Sequence, residues 1–181
     1  GTSGTFTIGN NVYGDLGASV SGSGNVTLVR GNGLIMGVYG DWSGFSGTFT
    51  SASSSDYVWV NRAYSIFSAN ATYNVGNNWE LNMGSSTCQL GALQGTSVFN
   101  VYAGGSPTIS IGALNTSTTF SGTFNDGISL VKVGTGTLTL SGANNYTGST
   151  TVSCGTLQAG SASAFGNLSA VTVNGTLDLA G

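Results

Sequence analysis

Apolar and polar residues alternate along most of this chain with a period of two. Leu138 and Leu140 alternate with Thr137 and Thr139, and Val152 with Cys154, then Leu157 with Ala159, continue the same beat. Upstream, Phe6 with Ile8, Val26 with Leu28, and Leu34 with Met36 and Val38 form short runs of the same kind. A period of two is strand chemistry, with one face buried and the other wet. Between the runs lie Gly134, Gly136, Ser141-Gly142, Asn144-Asn145, Gly148 and Gly155, residues that turn at little conformational cost. The pattern predicts short strands, sharp corners and almost no helix.

The strands also recur as phrases. Phe45-Ser46-Gly47-Thr48-Phe49 returns as Phe120-Ser121-Gly122-Thr123-Phe124 and, more loosely, as Tyr146-Thr147-Gly148-Ser149-Thr150. Leu90-Gly91-Ala92-Leu93 returns as Ile111-Gly112-Ala113-Leu114, and Gly-Thr-Leu recurs from Gly136, Gly155 and Gly175. These spacings set a rung of about 19 to 26 residues, which solenoids use. A coil of that length buries its apolar row and pairs each strand in parallel with the rungs above and below. The expectation is one all-β domain over 1–181, a parallel β-helix (solenoid) of roughly seven to nine rungs, cut from a longer protein. The alternative, a β-sandwich, would use two-residue hairpins and longer strands. Cys88 and Cys154 share the parity of Leu90 and Val152, so both are expected to point inward. About three rungs at ~4.8 Å each would separate them, too far for a disulfide.

The block from Leu130 to Leu157 resembles the autotransporter-associated β-strand repeat. The residues that carry the resemblance are Leu130, Lys132, Gly134, Gly136, Leu138, Leu140, Ser141 and Gly142, then Asn144, Tyr146, Gly148, Gly155, Thr156 and Leu157. Ile109 to Gly112 and Thr119 to Gly122 fit the same family, so the likeness covers residues 107–160 and fades upstream. Cys154 departs from it, standing where the family has a small residue. The resemblance implies a right-handed parallel β-helix in bacterial surface or secreted proteins. It says little about activity.

Composition narrows the function. The chain carries 31 Gly, one Pro, six acidic and three basic residues, no His, and a net charge of −3. Each interior Gly would cost a helix about 1 kcal/mol against Ala. Outward positions are filled by Thr, Ser and Asn rather than by charge, which suits a secreted or cell-surface location. Three basic residues leave no electrostatic footprint for nucleic acid or an anionic membrane. No apolar run approaches the ~20 residues of a membrane helix, so membrane insertion is not expected. No Cys/His spacing or Gly-Gly-x-Gly-x-Asp series suggests a metal, and no cofactor is expected. Asn125-Asp126-Gly127 reads as a turn.

The resemblance is weakest where the aromatic residues concentrate. Ten of the 18 aromatics, with all three tryptophans, lie between Tyr39 and Trp79. In Asp56-Tyr57-Val58-Trp59-Val60-Asn61-Arg62 the alternation puts Val58 and Val60 on one face and Tyr57 and Trp59 on the other. If the valines are core, two rings stand on the outer wall, where sugar rings stack and Asp56, Asn61 and Arg62 can reach hydroxyls. Trp42 occupies a corner and is expected to project into solvent with Asp41 beside it. Trp79 shares parity with Leu81 and Met83, which favours core packing and leaves Glu80 and Asn82 outward; Trp79 and Glu80 both stand as candidate sugar-binding residues. Phe45, Phe49, Phe120 and Phe124 read as core or corner packing.

Catalysis is not expected. The chain has no His and too few bases for a polysaccharide lyase, and the acids Asp41, Asp56 and Glu80 read as solvated surface groups rather than a glycosidase pair. The favoured reading is a non-catalytic module that binds plant cell-wall polysaccharide, xylan first, tethered to a catalytic domain in its parent protein. In architecture and exposed aromatics it resembles β-helix binding modules attached to bacterial xylanases. The alternative is a structural β-helix stalk of an autotransporter passenger or adhesin. An ice-binding solenoid presenting Thr rows would need even rungs, and these are uneven.

Overall fold

Among the described residues each strand hydrogen-bonds to strands one turn of chain away and never to its neighbour in sequence. A computed structural model describes residues 4–8, 15–16, 19–30, 36–38, 40–51, 57–61, 67–76, 78–166 and 170–180. All pairings among the described residues are parallel. The first sheet stacks nine strands, Gly4–Ile8, Val26–Arg30, Thr48–Ser51, Thr72–Val75, Ala92–Gly95, Thr118–Phe120, Thr137–Leu140, Thr156–Ala159 and Thr176–Asp178. The second stacks seven, Asp15–Leu16, Met36–Val38, Tyr57–Asn61, Asn78–Asn82, Val98–Val101, Thr123–Asp126 and Asn145–Tyr146. The third stacks five, Thr87–Leu90, Thr108–Ile111, Ser129–Lys132, Thr150–Val152 and Val171–Val173. From Thr72 to Ala159 the chain visits the three sheets in turn, which makes a three-sided parallel β-solenoid, and the described strands upstream alternate between the first and second sheets. Its one helical element among the described residues is the 3₁₀ turn Tyr102–Gly104.

Registers such as Leu138 with Leu157 and Gly95 with Phe120 set rungs of 19 to 25 residues. Gly-Thr-Leu marks true rungs, since Thr137, Thr156 and Thr176 are register partners. The aromatic-Ser-Gly-Thr phrase does not. Phe45-Ser46-Gly47 leads into the first sheet, Ser121-Gly122 turns from the first sheet to the second, and Thr147-Gly148 turns from the second to the third. Its copies turn three different corners. What they share is a close approach: a Cβ on Gly47, Gly122 or Gly148 would overlap the carbonyl oxygen of Gly24, Ser97 or Ile128 on the rung before.

In most strands from Thr48 to Ala159 buried side chains alternate with less buried ones, whereas Val171–Val173 is exposed throughout. Val58, Trp79, Phe99 and Phe124 are register partners on the second sheet and are all buried. Their rings stack along the axis, Trp79 on Phe99 at 5.9 Å and Phe99 on Phe124 at 5.3 Å. Phe49 meets Trp79 edge-on at 5.9 Å, and Phe120 lies 4.8 Å from Phe124. Phe45, Phe49, Phe120 and Phe124 are therefore core, as the sequence led us to expect. Burying each such ring contributes about 2 kcal/mol, and each aromatic pair adds about 1 kcal/mol. Toward the C-terminus Leu130, Leu138, Leu140 and Leu157 take over.

Polar residues of the repeat close the corners. Buried Asn144 accepts the Phe124 N–H through Oδ1 at 2.8 Å and donates from Nδ2 to the Ala164 carbonyl at 2.6 Å. One amide thus ties three successive rungs. Lys132 stands in an inward column between Ile111 and Val152, and its ammonium donates to the carbonyls of Val133, Gly134 and Cys154. Burial lowers its pKa. The Tyr146 hydroxyl and Thr150 Oγ1 lie 2.7 Å apart, both buried.

The parity argument holds for Cys88, which is buried, and fails for Cys154, which is exposed. The strand ends at Val152, and Gly155 at φ +64° reverses the chain, so the alternation no longer governs position 154. Burial pushes the Cys88 thiol up to about 12.

Three outcomes follow for stability and one for reactivity. Gly122→Ala should destabilise by about 3 kcal/mol, because the added methyl drives two rungs apart. Asn144→Ala should cost about 2 kcal/mol by leaving a buried N–H and a buried carbonyl unpaired, whereas Thr119→Ala on the outer face should stay within about 0.5 kcal/mol; urea melts with an unchanged m-value check all three. Under native conditions at pH 8 a maleimide should label Cys154 and leave Cys88 untouched until the protein unfolds, as read by mass spectrometry.

Candidate functional site

The outer face of the second sheet collects the groups richest in recognition chemistry. Val58 and Val60 are fully buried, so the alternation in Tyr57–Asn61 turns Trp59 outward, as the sequence led us to expect. Trp59 is half-buried, because Tyr102 comes from two rungs further along and rests on it, with ring centroids 4.6 Å apart and planes 53° from parallel. Tyr102 opens the 3₁₀ turn that follows Val98–Val101, and it is 47% exposed. The outer wall therefore shows a Trp–Tyr contact, with Tyr102 the more open ring.

Beside it runs a column set by register, Trp59, Glu80, Asn100, Asn125 and Asn145. Asn100 Nδ2 donates to Glu80 Oε1 at 3.1 Å, and Asn125 Nδ2 donates to Asn100 Oδ1 at 2.9 Å. Burial raises the Glu80 pKa, the Asn100 bond opposes the shift, and the Asp126 carboxylate reinforces it. Asp126 accepts the Val101 N–H at 2.9 Å. Its φ of +61° begins the turn expected at Asn125-Asp126-Gly127.

The other expected site residues fall elsewhere. Trp42 is 1% exposed and does not project into solvent. Its corner folds inward, and the indole packs edge-on against Phe45 at 5.7 Å and Phe49 at 5.6 Å, which buries more apolar area than a solvent-facing corner could. Trp79 is likewise 1% exposed, in the core as its parity favoured, so it lines no outer surface. Its indole N–H has no hydrogen-bond partner among the described residues. Asp41 is exposed, and its Oδ1 accepts the Ser43 N–H at 2.9 Å, a bond that lowers its pKa and fixes the turn before Phe45. Asp56 and Arg62 lie outside the described residues, as do the side chains of Tyr57 and Asn61. The structure thus brings Trp59 and Glu80 together and separates Trp42 and Trp79 from them.

Sequence reasoning missed Tyr102, Asn100 and Asn125. The signal for the two asparagines was their 25-residue spacing, which becomes legible only once register is known. Chemically the face offers two rings, a ladder of amides and one half-buried carboxylate. Asp41 and Glu80 each hold a structural hydrogen bond. Among the described residues, no three of His, Cys, Asp and Glu come together to hold a metal.

Comparison with known proteins bears on the function. Residues 130–159 match the passenger-associated-transport-repeat family. Over 99 residues, 55% of this chain, the sequence is 39% identical to the adhesin BmaC autotransporter of Brucella suis biovar 1 (strain 1330), of which it spans 3%. No solved structure matches. These similarities overturn the expected xylan-binding module: the matching repeat and the matching relative are those of autotransporters, and nothing links the chain to xylanases. The supposed aromatic signature also dissolves, since Trp42 and Trp79 are core. The chain is a secreted or cell-surface bacterial protein, and its residues 130–159 are similar to the passenger-associated-transport-repeat.

Proposed function

We propose that this chain is a non-enzymatic β-helical stalk segment of an autotransporter passenger or adhesin. The observation that carries this reading is how the repeat's polar residues are used. Lys132, Asn144, Tyr146 and Thr150 are buried, and each spends its polar atoms on the solenoid's own corners. A segment that spaces one end of a long protein from the other needs unbroken inter-rung bonding, and the stacked sheets supply it. The segment attaches through its ends to a larger parent protein.

A stalk tolerates loss of a whole rung and not of part of one. Leu130 and Thr150 are register partners, so deletion of 129–148 joins Ile128 to Ser149 and puts Thr150–Val152 in the place of Leu130–Lys132. The parent protein carrying that deletion should reach the cell surface at its normal level and keep its activity. Deletion of 129–141, which breaks register, should abolish surface display. Normal display with loss of the parent's activity in the first variant would show that the segment does more than space.

A further inference from the structure

The asparagines of this chain divide by environment and by sequence along the same line. Among the described residues, Asn25, Asn70, Asn115, Asn145 and Asn174 are exposed, and Asn74, Asn78, Asn82, Asn100, Asn125 and Asn144 are half-buried or buried. All five exposed asparagines have Thr or Ser two positions on and no intervening Pro: Thr27, Thr72, Ser117, Thr147 and Thr176. None of the six others does. The amide nitrogens divide too. Nδ2 of Asn100, Asn125 and Asn144 donates hydrogen bonds that hold rungs together. Where an exposed asparagine's side chain bonds to a described residue it does so through Oδ1 alone, as Asn25 accepts the Thr48 N–H and Asn115 the Thr135 N–H.

Asn-x-Ser/Thr is the acceptor pattern for N-linked sugar. We propose that these five asparagines are N-glycosylation sites. In each, Nδ2 would attack the anomeric carbon of a sugar activated by a pyrophosphate leaving group. The new N–C bond forms as the C–O bond breaks; the pyrophosphate departs with the electron pair, and the amide proton passes to a base on the transferring enzyme. Oδ1 is untouched, so the bonds from Thr48 and Thr135 survive. Asn70, Asn115 and Asn174 share one corner: Asn70 and Asn174 stand two residues before the first-sheet register positions Thr72 and Thr176, and Asn115 two before Ser117, whose Oγ accepts the N–H of Thr137. Sugars there would extend from that edge and leave the sheet faces clear. Asn167, with Ser169 after it, lies outside the described residues.

The test is glycopeptide mass spectrometry of the protein purified from its own bacterium, digested with a non-specific protease because it has only three Lys and Arg residues. Sugar confined to the Asn-x-Ser/Thr asparagines supports the proposal. A mass increment of one hexose identifies a nucleotide-sugar donor, and an oligosaccharide identifies a lipid-linked one. Bare asparagines at all five positions, or sugar only on Ser and Thr hydroxyls, would overturn it. Thr72→Ala and Thr176→Ala keep Asn70 and Asn174 but remove the hydroxyl each pattern needs. They should lose the sugar at those two asparagines and nowhere else, and its retention there would also overturn the proposal.

Discussion

Hydrogen bonding between successive rungs is the constraint on which the rest of this structure depends. Each strand's backbone groups are satisfied by the rung before and the rung after, so a residue's place in the register decides whether its side chain is inside or outside. The apolar column, the outer Thr, Asn and Gln positions and the buried polar corners all follow. Length variation is possible only where no ladder runs, and rungs of 19 and 25 residues coexist because the corners absorb the difference. The longest rung illustrates this: residues 102–107, which join the second sheet to the third, include the 3₁₀ turn Tyr102–Gly104 that carries Tyr102 over Trp59.

Glycine and buried amides let the rungs come close. Where the chain turns at Gly47, Gly122 and Gly148, the preceding rung's carbonyl occupies the space a side chain would need. At Asn144 a side chain stands in for the backbone, donating and accepting where the ladder is interrupted. Lys132 does the same for three carbonyls with one ammonium. Each of these devices satisfies polar groups that would otherwise be buried without partners, at a cost of about 1–3 kcal/mol apiece.

Fold was legible in the sequence because alternation and rung length are local signals. Gly-Thr-Leu gave register outright, and Val58 and Val60 were correctly placed inside. The site was harder to read, for identifiable reasons. Trp42 sits in a corner, where alternation sets no direction, and only the positions of Phe45 and Phe49 reveal the space it fills. The concentration of rings between Tyr39 and Trp79 records how much aromatic volume that stretch carries, not which side it faces, and most of the described rings there fill the interior. Cys154 was misplaced because the strand stops two residues short of it. Tyr102 rests on Trp59 from 43 positions away, a contact no local pattern encodes.

The central claim is that register along the strands holds the molecule together while its corners tolerate change. Thermal melting of two single-glycine insertions tests it most directly, one between Leu138 and Thr139 within a strand and one between Ser161 and Ala162 in a corner. The strand insertion turns Leu140 outward and should abolish cooperative melting of the C-terminal rungs. The corner insertion should lower the midpoint by only a few degrees. Equal midpoints for the two variants would contradict the account.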